Sequence, residues 1–392
     1  MKLLHISDLH IGKRVNQFSM LEDQKYILRQ ILAIADKQQA DGVMIAGDIY
    51  DKSVPSAEAV QVFDWFLTAL ANRGKQVYAV SGNHDSAERI AFGAQLMRGR
   101  GVFVSPVYHG ETAKFTVKDS YGELCIYLLP FIKPVVVRHA LEDIPDMKNK
   151  PMPESYHDAV KFAVEHMNVD SQKRNILIAH QFVTGAGRCD SEEISVGGVD
   201  NVDADVFDAF DYVALGHIHS PQHIKRETVR YCGTPLKYSF SEAEQEKSVT
   251  VVELGKKGDI TLSMVPLVPL HDMRKIRGTY LEVTAKSFYQ NTDTEDYVQI
   301  TLTDEEDIPD GLQKLRIIYP NLMRLEYDNS RTRQNCVIDR SEEIEQKSEL
   351  ELFAAFYEMQ NNQKMSEEQT TFVARLIEEC NESNTGSGKG QA

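Results

Sequence analysis

Short apolar runs recur at residues 3–6, 43–46, 77–80, 176–179 and 212–215, and each gives way to polar side chains at its carboxyl end. Runs of this length, bounded by turn residues, fit buried strands. Between the early runs lie two helix-periodic stretches. Residues 19–39 put Leu21, Ile27, Leu28, Ile31, Leu32 and Ala35 on one face, and residues 56–73 do the same with Val60, Phe63, Leu67 and Leu70. Alternating strand and helix signals predict an α/β layered core. Residues 102–131 read as hairpins instead: strands at 102–104, 113–117 and 124–129, with Gly110 and Gly122 in the turns. A second β-rich patch follows at 230–232, 248–254 and 260–266. The expected architecture is four-layered, α-β-β-α, with two sheets face to face and helices outside.

The pattern shifts near residue 270. Strands are expected at 280–283, 298–302 and 322–327 and a helix at 311–318, which together make a small α+β unit. Two amphipathic helices follow residue 336. Ser348 caps one carrying Leu352, Phe353, Phe356 and Tyr357; Ser366 and Gln369 form a capping box for one carrying Phe372, Val373, Leu376 and Ile377. The small, polar residues 381–392 are expected to be disordered. The boundaries read from this pass are 1–270, 271–335, 336–380 and 381–392.

Composition narrows the class. The 392 residues are 42% hydrophobic and 26% charged, as in globular proteins of two or three domains. Asp8 and His10 interrupt the apolar start too early for a signal peptide, and no run is long enough to span a bilayer. The scattered cysteines (Cys125, Cys189, Cys232, Cys336, Cys380) show no CxxC spacing, which argues for a reducing compartment and a cytoplasmic location. A net charge of −16 excludes polyanion binding through bulk charge alone. A nucleic-acid substrate then requires bound cations or a basic partner.

The chemistry lies in blocks that occur in a fixed order: Asp8-x-His10, Gly47-Asp48-x-x-Asp51, Gly82-Asn83-His84-Asp85, His180 and Gly216-His217-Ile218-His219. Each sits at or just beyond the end of an apolar run, where open α/β sheets bind ligands. Glycine before Asp48, Asn83 and His217 is expected to turn the chain sharply so that the next side chain enters a shared cleft. Asp8 and Asp48, with His10, His180, His217, His219 and Asn83, mix hard and borderline ligands. That set suits Mn²⁺, Fe or Zn²⁺, and it is too large for one ion but right for two.

These blocks resemble those of the calcineurin-like metallophosphoesterases. Further stretches narrow the resemblance to the SbcD family of bacterial nuclease subunits: Gly12-Lys13, Pro55-Ser56, residues 129–134 and 210–217, the run 231–242, and residues 266–274. The resemblance implies that Asp8, His10, Asp48 and His219 hold one ion, and that Asp48 bridges to a second held by Asn83, His180 and His217. It implies that His84 faces the phosphate as general acid or transition-state stabiliser, with Asp51 and Asp85 behind the ligands. Archaeal and eukaryotic relatives usually carry His where this chain has Asp51, and the resemblance leaves Asp51 either a catalytic role or one of orienting its neighbours. The resemblance further implies two Mn²⁺ ions and cleavage of DNA ends, hairpins and single strands in repair, recombination and replication. It also implies a homodimer bound to SbcC, an ABC-type coiled-coil ATPase. Residues 271–335 then correspond to a DNA-capping domain and the last helices to an ATPase-docking segment. Lys13, Arg14, Lys133, Arg138 and Arg188 are candidate DNA contacts, and Val60, Phe63, Leu67, Ile90, Phe92 and Leu96 candidate dimer contacts. A phosphomonoesterase or protein phosphatase of the same fold is the alternative.

Overall fold

The structure is a computed structural model that describes residues 1–142, 152–192, 201–330, 332, 350, 353–354, 357, 365–366 and 369–377. They fall into two compact units, Met1–Lys275 with Glu295–Val298, and Ile276–Thr294 with Gln299–Ala392.

In the first unit β1 (Lys2–Ile6) is followed by a short ribbon, β2 (Arg14–Val15) with β3 (Phe18–Ser19). β1 then pairs in parallel with β4 (Gly42–Ala46), β4 with β5 (Gln76–Val80), and β5 with β6 (Val102–Val104). The second sheet holds β7 (Ala113–Asp119), β8 (Gly122–Leu129), β9 (Arg174–His180), β10 (Tyr212–Gly216), β11 (Gln222–Ile224) and β12 (Arg226–Tyr231), in the order β11-β12-β10-β9-β8-β7. β13 (Ser248–Leu254) returns to the first sheet antiparallel to β1, and β14 (Ile260–Pro266) closes that edge.

The period-2 pattern of the strands builds two cores at once. Leu124, Ile126 and Leu128 of β8 point between the sheets, against Leu3, Met44, Tyr78 and Ile178. The intervening Cys125, Tyr127 and Leu129 point the other way, against Val137 and Val160 of α5 (Pro134–Glu142) and α6 (Tyr156–Glu165). On the far side α2 (Ala57–Asn72) packs on β5 and on α1 (Leu21–Lys37), which buries Ile27, Leu28, Ile31 and Leu32. Helix, sheet, sheet, helix is the layering anticipated above.

Local expectations fare unevenly. The hairpin of β7 and β8 forms with Gly122 at its turn, but residues 102–104 join no hairpin. They form the parallel edge strand β6, where Phe103 stacks on Tyr78 at 5.0 Å; so short a run carries no sign of its partner. Gly110 consequently lies in a loop outside any hairpin turn. Leu67 is half-buried and Val60 exposed, because α2 turns Ala59, Val62, Phe63, Phe66 and Leu70 inward. Two short helices, α3 (Ala87–Ile90) and α4 (Ala94–Arg98), precede β6.

The second unit takes in residues 276–278 of β15 (Met273–Gly278), residues 299–302 of β16 (Tyr297–Leu302) and all of β17 (Leu322–Tyr327), in that order. It also contains α7 (Tyr280–Val283), α8 (Lys286–Tyr289) and α9 (Gly311–Arg316). Residues 280–283 are helical rather than extended. Thr279 and Glu282 make a reciprocal capping box that starts a helix there. Near the end of the chain the Ser366–Gln369 box forms, with Gln369 N–H donating to Ser366 Oγ at 3.2 Å and Ser366 N–H to Gln369 Oε1 at 2.9 Å. Ser348, Leu352, Phe356 and residues 381–392 lie outside the described residues. Cys125, Cys189 and Cys232 are free thiols.

Candidate metal centre

Parallel strands from both sheets deliver the candidate ligands at their carboxyl ends. Asp8 and His10 follow β1, Asp48 follows β4 and Asn83 follows β5; His180 ends β9, and His217 and His219 follow β10. The backbone ties these segments together: Asp8 N–H donates to Gly47 O at 3.0 Å and His10 N–H to Asp48 O at 2.9 Å. Asp8, His10, Asp48 and His217 all adopt positive φ, of 52°, 44°, 47° and 101°. Such conformations cost non-glycine residues about 1–3 kcal/mol each and cluster at functional sites.

The glycines before the ligands act in two ways. Gly47 does turn the chain, with φ +85°. Gly82 and Gly216 instead permit close approach: a Cβ on Gly82 would meet Asp48 Oδ1 at 2.0 Å, and one on Gly216 would meet Ala46 O at 1.8 Å.

The donor atoms converge. Asn83 Oδ1 lies 2.9 Å from both His180 Nε2 and His217 Nδ1. Asp48 Oδ2 lies 3.4 Å from His180 Nε2, 3.7 Å from His10 Nε2 and 3.9 Å from His84 Nε2. His10 Nε2 and His219 Nε2 face each other at 3.2 Å. Asp8, His10 and His219 offer ligand atoms all within 4.8 Å of one another, and so do Asp8, Asp48 and His180. The carboxylates of Asp8 and Asp48 therefore lie at the junction between the two halves of the cluster.

Electrostatics in this pocket are those of crowded, buried charge. Burial pushes the Asp8 carboxyl up to about 8, although His180 opposes it. Burial raises Asp48 too, but the charge and hydrogen bond of His180 outweigh it and hold Asp48 well below the usual carboxylate range. His180 is lowered by burial yet driven up to about 9 by Asp48 and Asp8. Burial keeps His10 and His219 low, hence neutral. Two neutral imidazoles with ring nitrogens in contact, beside two buried carboxylates, form a donor set that a divalent cation satisfies. The residues fit metal ions.

The remaining candidates divide. His84 is partly exposed beside the cluster, and its Nδ1 lies 3.1 Å from Asp51 O, so that N–H donates to the carbonyl and Nε2 faces Asp48. Asp85 points away from the cluster, accepting backbone N–H bonds from Ile49 (3.0 Å), Tyr50 (2.9 Å) and Gly82 (2.9 Å). Asp51 sits 3.6 Å from His10 Nδ1 and pairs with Lys13 at 2.8 Å. Lys13 thus serves a carboxylate, and Arg138 serves the Pro153 carbonyl at 2.8 Å. Arg188 lies over the Phe182 ring, Arg14 reaches Gln17 O, and Lys133 is exposed.

Sequence reading gives no individual role to Gln24, Tyr238 or Phe131, the last two appearing there only within residues 231–242 and 129–134. Gln24 donates to His10 O at 2.7 Å and accepts from Gly12 N–H at 2.9 Å, which ties α1 to the first ligand loop. Tyr238 donates to Leu9 O at 2.6 Å and sets its ring edge-on to His10. Phe131 stacks on His217 with centroids 6.2 Å apart. For Gln24 the available signal is a glutamine on the apolar face of α1; for Phe131 and Tyr238 it is their place in the stretches that carry the resemblance.

Residues 1–221 match the calcineurin-like phosphoesterase family, and residues 269–361 match the SbcD_C family, described as the type 5 capsule protein repressor C-terminal domain. Among solved structures, similarity extends to a dimetal phosphatase from Danio rerio, at 12% identity over 68% of this chain and 96% of that one, with a TM-score of 0.41. It extends also to the Thermus thermophilus protein TT1561, at 11% identity over 67% and 98%, with a TM-score of 0.37. The D subunit of the nuclease SbcCD from Staphylococcus epidermidis is 32% identical over 388 residues, covering 96% of this chain and 98% of that protein. The chain therefore belongs to the calcineurin-like phosphoesterases and, within them, to the SbcD family.

Proposed function

We propose that this protein is a metal-dependent DNA nuclease subunit that hydrolyses phosphodiesters with two Mn²⁺ ions, as an exonuclease on duplex ends and an endonuclease on hairpins and single strands. The observation that carries the reading is a donor cluster complete in Asp8, His10, Asp48, Asn83, His180, His217 and His219, in a chain similar to a nuclease subunit over nearly its whole length. In this reading Asp8, His10, Asp48 and His219 hold one ion, and Asp48 also reaches a second held by Asn83, His180 and His217. When bound, such an ion pair neutralises phosphate charge and lowers the cost of deprotonating an attacking water. His84 supplies the protein's own share. Its ring is oriented through Nδ1–H by the Asp51 carbonyl, so in the imidazolium form Nε2–H can donate a proton to the leaving oxygen or stabilise charge on the phosphate.

The similarity to the SbcD relative supports finer assignments within the same reading. The protein acts as a homodimer with the ATPase SbcC, in the cytoplasm and associated with the nucleoid. Residues 1–270 form the nuclease domain, 271–335 the DNA-capping domain and 336–380 the docking segment. Exposed Val60, Phe92 and Leu96 support a dimer face near α2–α4, whereas Phe63 and Ile90 are buried within the protomer. Exposed Phe353, Phe372 and Leu376 support docking by the last helices. Of the described helices none is long and apolar enough to cross a membrane.

End-labelled hairpin and linear duplex DNA, incubated with Mn²⁺ or with chelator, test the reading beside an Asp48→Ala variant. Cleavage is expected to need both Mn²⁺ and Asp48. Faster turnover of a simple aryl phosphomonoester than of any DNA, with and without SbcC, would replace this reading with a phosphatase. Deleting 340–392 is expected to abolish SbcC binding while leaving Mn²⁺-dependent cleavage, and undiminished complex formation would overturn the docking assignment.

A further inference from the structure

His219 is held from behind by a buried polar chain that the ligand motifs do not contain. Its Nδ1 lies 2.7 Å from Ser191 Oγ, and Ser191 Oγ lies 2.6 Å from Glu242 Oε1. Glu242 is fully buried, and its other oxygen meets Lys247 Nζ at 2.6 Å. Lys247, itself only 5% exposed, also donates to His219 O at 2.9 Å and to Thr234 Oγ1 at 2.8 Å. On the remaining side, His219 N–H donates to Glu192 Oε1 at 2.7 Å. The ring, N–H and carbonyl of one residue are each gripped separately.

Proton counting gives this chain a direction. A carboxylate paired with an ammonium only accepts, so the single Ser191 hydroxyl proton goes to Glu242. Ser191 then has only lone pairs to offer His219, and its partner nitrogen must be Nδ1–H. That selects the imidazole tautomer with a bare Nε2, the atom that faces His10 Nε2 at 3.2 Å in the candidate centre. His10 has no comparable support: its buried Nδ1 makes no hydrogen bond, and Asp51 Oδ1 is 3.6 Å away. Partners of this kind on a ligating histidine fix its tautomer and orientation, and losing one typically costs about 10–100-fold in metal affinity.

We propose that Ser191, backed by the buried Glu242–Lys247 pair, is a positioning residue that holds His219 in its ligating tautomer and so sets the affinity of the Asp8–His10–His219 side of the centre for its ion. This rests on the reading of that cluster as a metal site. Removing Glu242 or Lys247 would leave the other charge buried without a partner and endanger the fold. Ser191 is partly exposed and can be truncated more safely.

The test is a Mn²⁺ titration of the full chain followed by electron paramagnetic resonance, which needs no DNA and no turnover. The parent protein is expected to bind two ions with a spin-coupled signal. Ser191→Ala is expected to bind one ion normally and the other about 10–100-fold more weakly, so that at limiting Mn²⁺ an uncoupled signal replaces the coupled one. Ser191→Thr, which keeps the hydroxyl, should restore coupling, and the thermal melt of the metal-free alanine variant should match the parent. Parent-like affinity and coupling in Ser191→Ala would overturn the positioning role. So would equal weakening by alanine and threonine, or weakening that merely tracks a lowered melt. Failure of the parent to bind Mn²⁺ would instead overturn the metal-centre reading beneath it.

Discussion

The backbone N–H of His84 donates to Asp48 Oδ1 at 3.0 Å, while its ring Nε2 stands 3.9 Å from Asp48 Oδ2. One residue thus fixes the carboxylate at the junction of the cluster through its main chain and leaves its side chain at the cleft. The two roles separate by mutation. His84→Ala keeps the N–H, so two Mn²⁺ should still bind with parental affinity. Loss of the ring should slow DNA cleavage by about 10²–10³, as removal of one transition-state donor does. Mn²⁺ binding measured beside single-turnover cleavage checks this. Full activity in His84→Ala would remove the ring from the mechanism.

Asp8 and Asp48 share a fully buried pocket in which His180 is the nearest candidate cation. Divalent ions that bind only the folded chain should therefore stabilise it. Mn²⁺ at about 100 times its Kd contributes roughly 2.7 kcal/mol per ion, or about 5–10 °C in melting temperature for a unit of this size. Chelator should remove the shift, and Asp8→Asn should cut it by half or more. An equal rise in the Asn variant would show that the ions act elsewhere.

Gly216 lies where β10 passes closest to β4, and a Cβ there would stand 1.8 Å from Ala46 O. Backbone cannot yield as a flexible side chain can. Gly216→Ala is expected to destabilise by more than about 3 kcal/mol, the upper range for overpacking, and to lower Mn²⁺ affinity as the sheets part. Gly187, whose nearest atom is 3.9 Å away, serves as the control and should accept alanine with little change. Comparable thermal melts for the two variants would contradict the close-approach argument.

The site was more legible than the fold around it, for a physical reason. Ligands must follow strand ends, so Asp8-x-His10 and Gly216-His217-Ile218-His219 appear as compact words after apolar runs. Partner choice leaves no such mark: residues 102–104 read equally well as hairpin or parallel edge until Phe103 is seen on Tyr78. The Thr279–Glu282 box was readable but was outweighed by the β-branched and aromatic residues beside it. Supports reached through space were invisible. Ser191 and Glu242 are 51 positions apart, and nothing local marks either as a neighbour of His219. Gly82 and Gly216 are expected from the sequence to turn the chain, whereas the structure shows them crowded by neighbouring atoms instead.

Arg174 offers a test of acid stability away from the metal centre. Its guanidinium, 4% exposed, gives two hydrogen bonds to Asp119, at 2.6 and 3.0 Å, and others to the Gly122 and Gly255 carbonyls. The Arg174 hydrogen bonds hold the Asp119 carboxyl well below the usual range, against the opposing effect of burial. A carboxylate depressed in the folded state contributes stability that is full above its unfolded pKa, about 3.9, and is lost as pH falls toward the folded value. Asp119→Asn should therefore cost about 3 kcal/mol at pH 7, since it leaves a buried guanidinium without its counter-charge. The gap from the parent should shrink steadily below about pH 4, as the parent carboxylate is itself neutralised. Urea unfolding in chelator across pH 7 to roughly pH 2.5 follows both quantities through that window. A gap that stays constant across that range would mean that Asp119 stabilises the edge of the second sheet by packing and not by charge.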